Sequence, residues 1–374
     1  LKKYIISGGG TGGHIYPAIA IAQALQQQDP EAEVLFVGAE GKMEMQKVPQ
    51  AGYRIIGLPV AGLQRQLSLQ NLGRNLVFPF KLIASLVKAY RVVANFGPNV
   101  VIGVGGYASG PVLFVAQLMG IPTLIQEQNS YAGLTNKLLA KRVKRICVAY
   151  PGMQHYFPHD KLIFTGNPVR QSLTDLTEAH RNTGYKFYGF DPAKPVLLVI
   201  GGSLGARTIN RALVEHHAAL LNAGVQIIWQ TGKSGFATVS DQIKQLYPTG
   251  QPSGLVITEF IADMDIAYST ADVVLSRAGA LSVSELTLVG KPTILVPSPN
   301  VADDHQTKNA RALSDRHAAI TILDQQLSDQ LLAVVLTLLD DTSRRQTLIA
   351  AIKELAMPNA ATMIAGIVQE LAGN

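Results

Sequence analysis

Three observations predict a doubly wound α/β fold in two domains. Short apolar runs alternate with longer helical patterns along the whole chain, which is how parallel βαβ units read. The series starts twice, each time with a strand that runs into Gly-Gly and then a helix, at Gly8-Gly9 and again at Gly201-Gly202. Finally, 374 residues that are 47% hydrophobic suit about two domains, each burying its own core.

In the first series, strands are expected at residues 3–7, 33–37, 54–58, 100–104, 123–126 and 145–148, with helices at 17–28 and 134–140 among the connections. In the second, strands are expected at 196–200, 225–230, 255–258, 273–275 and 293–296, with helices at 208–222, 281–289 and 303–314. Gly166-Asn167-Pro168 punctuates an apolar strand and sets the boundary, giving domains 1–166 and 167–352. Residues 174–194 read as a polar connector. From Asp341 the chain is helical and broken at Pro358. A last helix at 360–371 is expected to return to the first domain, so that 353–374 packs back on it.

Composition narrows the function. Charged residues are 16% of the chain, too few for disorder at this apolar content. A single cysteine, Cys147, excludes an internal disulfide framework and a Cys-based zinc site, and points to a reducing compartment. The net charge is +6, but it is unevenly placed: residues 1–166 hold 16 basic and 7 acidic side chains. No acid stands between Glu44 and Glu127. Such a half favours a polyanionic partner: an anionic membrane, a phosphate-bearing substrate or nucleic acid. With aromatics at 6% and no nucleic-acid motif, nucleic acid ranks last. No signal peptide or membrane-spanning run is expected.

Gly8-Gly9-Gly10-Thr11-Gly12-Gly13-His14 follows a strand and opens a helix. Small residues there let backbone amides approach a phosphate, and the helix N-terminus adds positive potential. The string also satisfies G-x-G-x-x-G, with Glu40 where a dinucleotide-binding acid would stand. A second loop is Gly103-Val104-Gly105-Gly106-Tyr107 and a third is Gly201-Gly202-Ser203-Leu204-Gly205. Ligands of open α/β sheets lie outside the carboxyl ends of strands, so loops of both domains are expected to border a cleft between them. Ser276-Arg277-Ala278-Gly279-Ala280-Leu281-Ser282-Val283-Ser284-Glu285 runs from a strand into a helix. Its reading is open between simple capping and a phosphate site whose Glu285 takes sugar hydroxyls. His305-Gln306 lies just beyond another strand.

In this order, residues 8–14, Gly105-Gly106-Tyr107, Glu127-Gln128-Asn129, Gly166-Asn167-Pro168-Val169-Arg170, residues 201–207 and residues 277–285 resemble the bacterial MurG family. The resemblance covers essentially the whole chain. It implies a GT-B fold of two Rossmann-like domains facing across a cleft, and an inverting N-acetylglucosamine transfer without a metal or other cofactor. The implied donor is UDP-N-acetylglucosamine. The implied acceptor is lipid I, an undecaprenyl-diphosphate-linked muramyl pentapeptide, which becomes lipid II of peptidoglycan synthesis. Carried over by motif, the donor site takes Thr11, Gly12, Gly13, Asn129, Arg170, Ser203, Ile261, Ala280, Leu281, Ser282, Val283, Ser284, Glu285 and Gln306. The acceptor diphosphate takes Gly13, His14, Gly105, Gly106 and Tyr107. Some members of the family have His where Gln126 stands and Gln where His305 stands; Gln126 cannot be a base.

The attacking 4-hydroxyl needs a base, and a histidine near its ordinary pKa suits neutral pH. His14 is the expected base and Glu127 its rival. The departing diphosphate needs positive potential, expected from helix N-terminal amides near Ser203 and Ala280 and from Arg170. Asp263-Met264-Asp265 has the D-x-D form of metal-dependent transferases but stands where a helix begins, and is read as capping. Arg74, Lys81 and Lys88 recur every seven residues, with Arg91 following, among apolar residues. On a helix they form a stripe suited to an anionic membrane surface, here the cytoplasmic face of the plasma membrane, with the protein held peripherally. The competing readings are a sugar-nucleotide epimerase on the same two-domain plan, an NAD-dependent oxidoreductase suggested by Gly8, Gly10, Gly13 and Glu40, and a sensor or membrane scaffold without turnover.

Overall fold

The apolar runs of the first series form one parallel sheet: β1 (Lys3–Ser7), β2 (Glu33–Ala39), β3 (Arg54–Leu58), β4 (Val100–Gly103), β5 (Thr123–Glu127), β6 (Arg145–Val148) and β7 (Leu162–Phe164). The structure is a computed structural model. It describes residues 1–60, 69–174, 176–202, 205–301 and 304–373, excepting the side chains of residues 69–78 and 171. The strand order is β3-β2-β1-β4-β5-β6-β7. Helices α1 (Gly12–Gln28), α2 (Glu44–Gln50), α3 (Leu69–Phe96), α4 (Ser109–Leu118) and α5 (Leu134–Leu139) connect the strands. Val100, Val101 and Ile102 of β4 are fully buried. A strand covered on both faces is expected to read as such a continuous Val/Ile run.

The second series repeats the plan. α6 (Glu178–Tyr188) precedes β8 (Val196–Ile200), α7 (Arg207–Asn222), β9 (Gln226–Gln230), α8 (Phe236–Leu246), β10 (Leu255–Thr258) and α9 (Met264–Thr270). Then follow β11 (Val273–Ser276), α10 (Ala280–Val289), β12 (Thr293–Leu295), α11 (His305–Ser314), β13 (Ile320–Thr321), α12 (Leu327–Asp340) and α13 (Thr342–Lys353). This sheet runs β10-β9-β8-β11-β12-β13, every pair parallel. Its core includes Trp229, whose indole N–H donates to Asn210 Oδ1 at 3.0 Å.

The chain divides into two compact units, residues 1–170 with 358–374 and residues 171–357; each is described by itself. The first unit extends to Arg170 rather than ending at Gly166, because Asn167 is buried and hydrogen-bonded to Gln126 and Gln128. The last helix, α14 (Ala360–Gly373), packs in the first unit. Its Ile364, Ala365 and Val368 share a core with Ile15, Ile19 and Ala22 of α1. Each fully buried Ile or Val contributes roughly 1.5–3 kcal/mol.

Several expectations are corrected. α1 begins at Gly12 rather than Pro17, which lies inside it. Thr11 is extended, and its carbonyl accepts the His14 and Ile15 amides at 3.1 and 3.2 Å, so the first turn forms upstream of the proline. Residues 174–194 are not merely a connector. Thr177 and His180 form a reciprocal capping box that starts α6, and Arg181 pairs with Asp272 at 2.7 Å. β7 and β13 are edge strands too short to announce themselves by pattern. Asp304, at φ 51°, occupies the N-cap of α11, which starts at His305; residue 303, where that helix is expected to begin, lies outside the described residues.

Candidate functional site

In both sheets the strand order reverses beside the first strand, between β1 and β4 and between β8 and β11. Crevices at such switch points, outside the carboxyl ends of strands, are where open α/β sheets take ligands. In the first unit the loops after β1 and β4 meet there. Gly106 has φ +84°, and a Cβ on it would lie 2.4 Å from the Gly9 carbonyl oxygen. Only glycine permits that approach. Tyr107, next along, is exposed. Gly12 is buried and Gly13 partly so, both in the first turn of α1, where amides have no intrahelical partner.

His14 is half-buried in this corner, its Nδ1 3.0 Å from Gln128 Oε1. Burial lowers its pKa below the ordinary 6.5, opposed by the charge of Glu127, the Gln128 hydrogen bond, a hydrogen bond to the Val104 backbone and the charge of Glu44. Burial thus favours the neutral imidazole. Nε2 is the ring nitrogen that does not meet Gln128.

Glu127, at the end of β5, is buried. Its Oε1 accepts from the Asn129 amide at 3.1 Å, and its Oε2 from the Gly133 amide at 2.9 Å and Asn136 Nδ2 at 2.8 Å. A carboxylate held by donors on both oxygens fixes its loop, and Asn129 with it. Arg170 stacks its guanidinium on the ring of Tyr16 in α1, Cζ 4.5 Å from the centroid. Its motif therefore stands in the first unit. Glu40, the acid a dinucleotide reading needs, is ion-paired with Lys88 of α3 at 2.7 Å.

Glu44 escaped the sequence reading. It is 1% exposed, and its two oxygens accept the Gly10 and Ala39 amides at 2.9 Å each, bracing the glycine loop from beneath. The signal available was an acid opening the helix after β2, which also describes ordinary first-turn acids.

In the second unit the loop after β8 and the loop after β9 close on each other. Gly232 has φ +76°, and a Cβ there would lie 2.2 Å from the Gly205 backbone. Ser203 lies outside the described residues. Gly279 is extended before α10, so the amides of Ala280, Leu281 and Ser282 form the first turn of that helix. Val283 N donates to Gly279 O at 2.9 Å, and Ser284 Oγ to Ala280 O at 3.0 Å. Glu285 is buried one turn further on, accepting from Tyr268 Oη at 3.3 Å.

Arg277 spans the loop bases, donating to the Val296 carbonyl at 3.0 Å and ion-paired with Asp324. The Ile261 amide is bonded to Gln230 Oε1 at 2.9 Å, and Gln306 Oε1 accepts the Ser298 amide at 2.9 Å. Thus residues after β8, β10, β11 and β12 converge on one sheet edge. Asp263 stands at the N-cap of α9 but makes no side-chain cap bond, correcting the capping expectation. With burial foremost, Asp263 and Asp265 push the Tyr188 phenol up to about 12.

The N-terminal domain of glycosyltransferase family 28 matches residues 4–148, and the C-terminal domain of that family matches residues 196–364. A protein of Cytophaga hutchinsonii is 52% identical over 369 residues, 99% of this chain and 96% of that protein. One from Bacteroides fragilis is 51% identical over 371 residues, again 99% and 96%. Both are named UDP-N-acetylglucosamine--N-acetylmuramyl-(pentapeptide) pyrophosphoryl-undecaprenol N-acetylglucosamine transferase. Among solved structures, MurG of Acinetobacter baumannii aligns with a TM-score of 0.73 at 29% identity, covering 99% of this chain and all of that one. A UDP-N-acetylglucosamine 2-epimerase aligns at 0.70 with 11% identity, over 100% of this chain and 96% of that one, which shows a shared fold alone.

Proposed function

The chain belongs to glycosyltransferase family 28, among its MurG N-acetylglucosaminyltransferases, and from that membership we propose how its residues divide the reaction. The enzyme transfers N-acetylglucosamine from UDP-N-acetylglucosamine to the muramyl pentapeptide carried on undecaprenyl diphosphate. The observation that carries this is the 52% identity across 99% of the chain with a transferase of that name.

In the transfer, the muramyl 4-hydroxyl attacks the anomeric carbon from the face opposite UDP. The new C–O bond forms as the bond to the β-phosphate oxygen breaks, and inversion results. The hydroxyl proton passes to His14 Nε2, and the bond pair leaves on UDP. Glu127 is a positioning residue: it holds the Asn129 loop and, as a nearby negative charge, stabilises the imidazolium that forms. The glycine corner of Gly13, Gly105 and Gly106, with Tyr107, receives the acceptor diphosphate through backbone amides.

The departing UDP is stabilised by the first-turn amides of α10, Ala280 to Ser282, in a preorganised site, and Glu285 takes sugar hydroxyls. This departure needs no divalent metal, and full activity in excess chelator is the expected result. Glu40 is engaged by Lys88, which speaks against the dinucleotide reading.

The enzyme works at an anionic membrane surface. Among the described residues no helix is long and apolar enough to cross a membrane. Phe80, Ile83, Val87 and Tyr90 are exposed, at spacings that share one face of α3. Phe114 and Leu118 of α4 and Leu134 and Leu138 of α5 are exposed too. Lys81 and Arg91 are exposed near that face. Lys88 belongs to the stripe only in part, because the fold brings Glu40 against it; the side chain of Arg74 lies outside the described residues.

Radiolabel transfer from UDP-N-acetylglucosamine to a lipid I analogue tests the assignment. Labelled disaccharide lipid appearing only with acceptor is expected. Consumption of the sugar nucleotide without acceptor would mean an epimerase instead.

A further inference from the structure

Behind His14 lies a closed chain of amides. Gln126, Gln128 and Asn167 are all buried, at 0%, 2% and 3% exposure. Asn167 Nδ2 donates to the Gln128 backbone carbonyl at 3.0 Å. That carbonyl can only accept, so the amide of Asn167 has one orientation and its Oδ1 faces Gln126 Nε2 at 2.9 Å. The Gln126 oxygen then receives Gln128 Nε2. The same Nε2 donates to the Val104 carbonyl at 2.7 Å, a second group that can only accept. Two backbone carbonyls therefore fix the sense of every link. What remains of Gln128 is its oxygen, which faces His14 Nδ1 at 3.0 Å and needs a donor.

We propose that Gln128 is a positioning residue that holds His14 in the Nδ1–H tautomer, leaving the Nε2 lone pair for the acceptor hydroxyl. This deepens the reading of His14 as the base and rests on it. The chain also gives Gln126 a purpose although it cannot carry a proton: it transmits orientation from Asn167 on the β7 side to His14 on α1. When Nε2 takes the proton, Nδ1–H stays on Gln128 and the ring need not turn. A histidine free to change tautomer would present Nε2–H to the acceptor for part of the time and be idle as a base. The charged groups facing His14 are Glu127 from the end of β5 and Glu44 from α2.

The test is nitrogen-15 NMR of the imidazoles in the whole protein near pH 8, with the His14 signals assigned by their loss in His14→Gln. A protonated Nδ1 and unprotonated Nε2 are expected. In Gln128→Met, which keeps length but removes both amide groups, the tautomers mix. There kcat falls at least about tenfold, a fraction of what a general base supplies, while KM for UDP-N-acetylglucosamine stays unchanged. An Nε2–H tautomer in the unaltered protein overturns the proposal, even if the variants fail to fold. So does a Gln128→Met protein with unchanged tautomer and kcat. If the tautomer follows Gln128 yet His14→Ala keeps full kcat, the orienting role stands and the base reading fails.

Discussion

Glu44 holds the Gly10 amide at 2.9 Å with one carboxylate oxygen, while its other oxygen holds the Ala39 amide at the same distance. A single buried side chain thus ties the glycine loop after β1 to the end of β2. Glu44→Ala leaves two amides unpaired beneath the loop. Bonds to a charged acceptor contribute about 1.5–3 kcal/mol each, so a loss of roughly 3 kcal/mol or more is expected in denaturant unfolding. Among active molecules, KM for the acceptor rises more than KM for the donor. A variant as stable as the parent would contradict this bracing.

His14 makes acid inactivation predictable in direction. Burial holds its pKa below 6.5, and the base must be neutral. In kcat/KM, which reports the free enzyme, activity rises with pH through a midpoint below 6.5 and is flat near neutrality. Between that lowered value and 6.5 the unfolded chain binds more proton than the folded one, so stability also rises with pH across the window and is lost on acidification. A kcat/KM profile with its acid midpoint above 6.5 would count against His14 as the group observed.

Most of this was legible in the chain, for identifiable reasons. Strands such as Val196–Ile200 read clearly because both faces are covered, leaving no polar alternation to blur them. The loops read clearly because Gly106 and Gly205 stand where only glycine fits. The helix of residues 178–188 did not, because its support is tertiary: Arg181 reaches Asp272, remote in sequence. Glu44, Gln128 and Gln230 were equally silent. Their partners are backbone amides, carbonyls or a histidine brought close only by the sheet order. Lys88 was misjudged for the same reason, since its acid comes from another strand end.

Gly106→Ala is expected to damage the acceptor corner. The left-handed backbone alone disfavours alanine by about 1–2 kcal/mol, and its methyl would press on Gly9. Activity falls at least about tenfold, one factor of ten per 1.4 kcal/mol, with UDP-N-acetylglucosamine binding by calorimetry retained. Equal loss of both would assign the damage to global unfolding.

The exposed face of α3 gives separable membrane predictions. Phe80→Ser with Ile83→Ser lowers partition onto phosphatidylglycerol vesicles at any salt, whereas Lys81→Glu lowers it most at low ionic strength. Lys88→Glu also breaks the Glu40 pair and so loosens α3 itself. Flotation assays that report no difference among these proteins and the parent would remove the surface from consideration.

Tyr268→Phe removes the hydroxyl that Glu285 receives at 3.3 Å. The carboxylate loses orientation rather than charge. An increase of about fivefold in KM for the donor is expected, the worth of one hydrogen bond near 1 kcal/mol, with kcat little changed. Steady-state kinetics varying the sugar nucleotide decide it, and an unaltered KM would make the contact incidental.

The placement of α14 has a consequence for the birth of the molecule. The face of α1 that it covers, with Ile15, Ile19 and Ala22, is made before residues 171–357, and Ile364 and Val368 are made after them. All of residues 171–357 are made in between, which at ordinary elongation rates takes roughly 10–40 s. During that interval the later unit can finish folding while the earlier one waits with an uncovered apolar flank. The nascent chain therefore needs shelter along that flank of α1 until α14 has been made and can cover it.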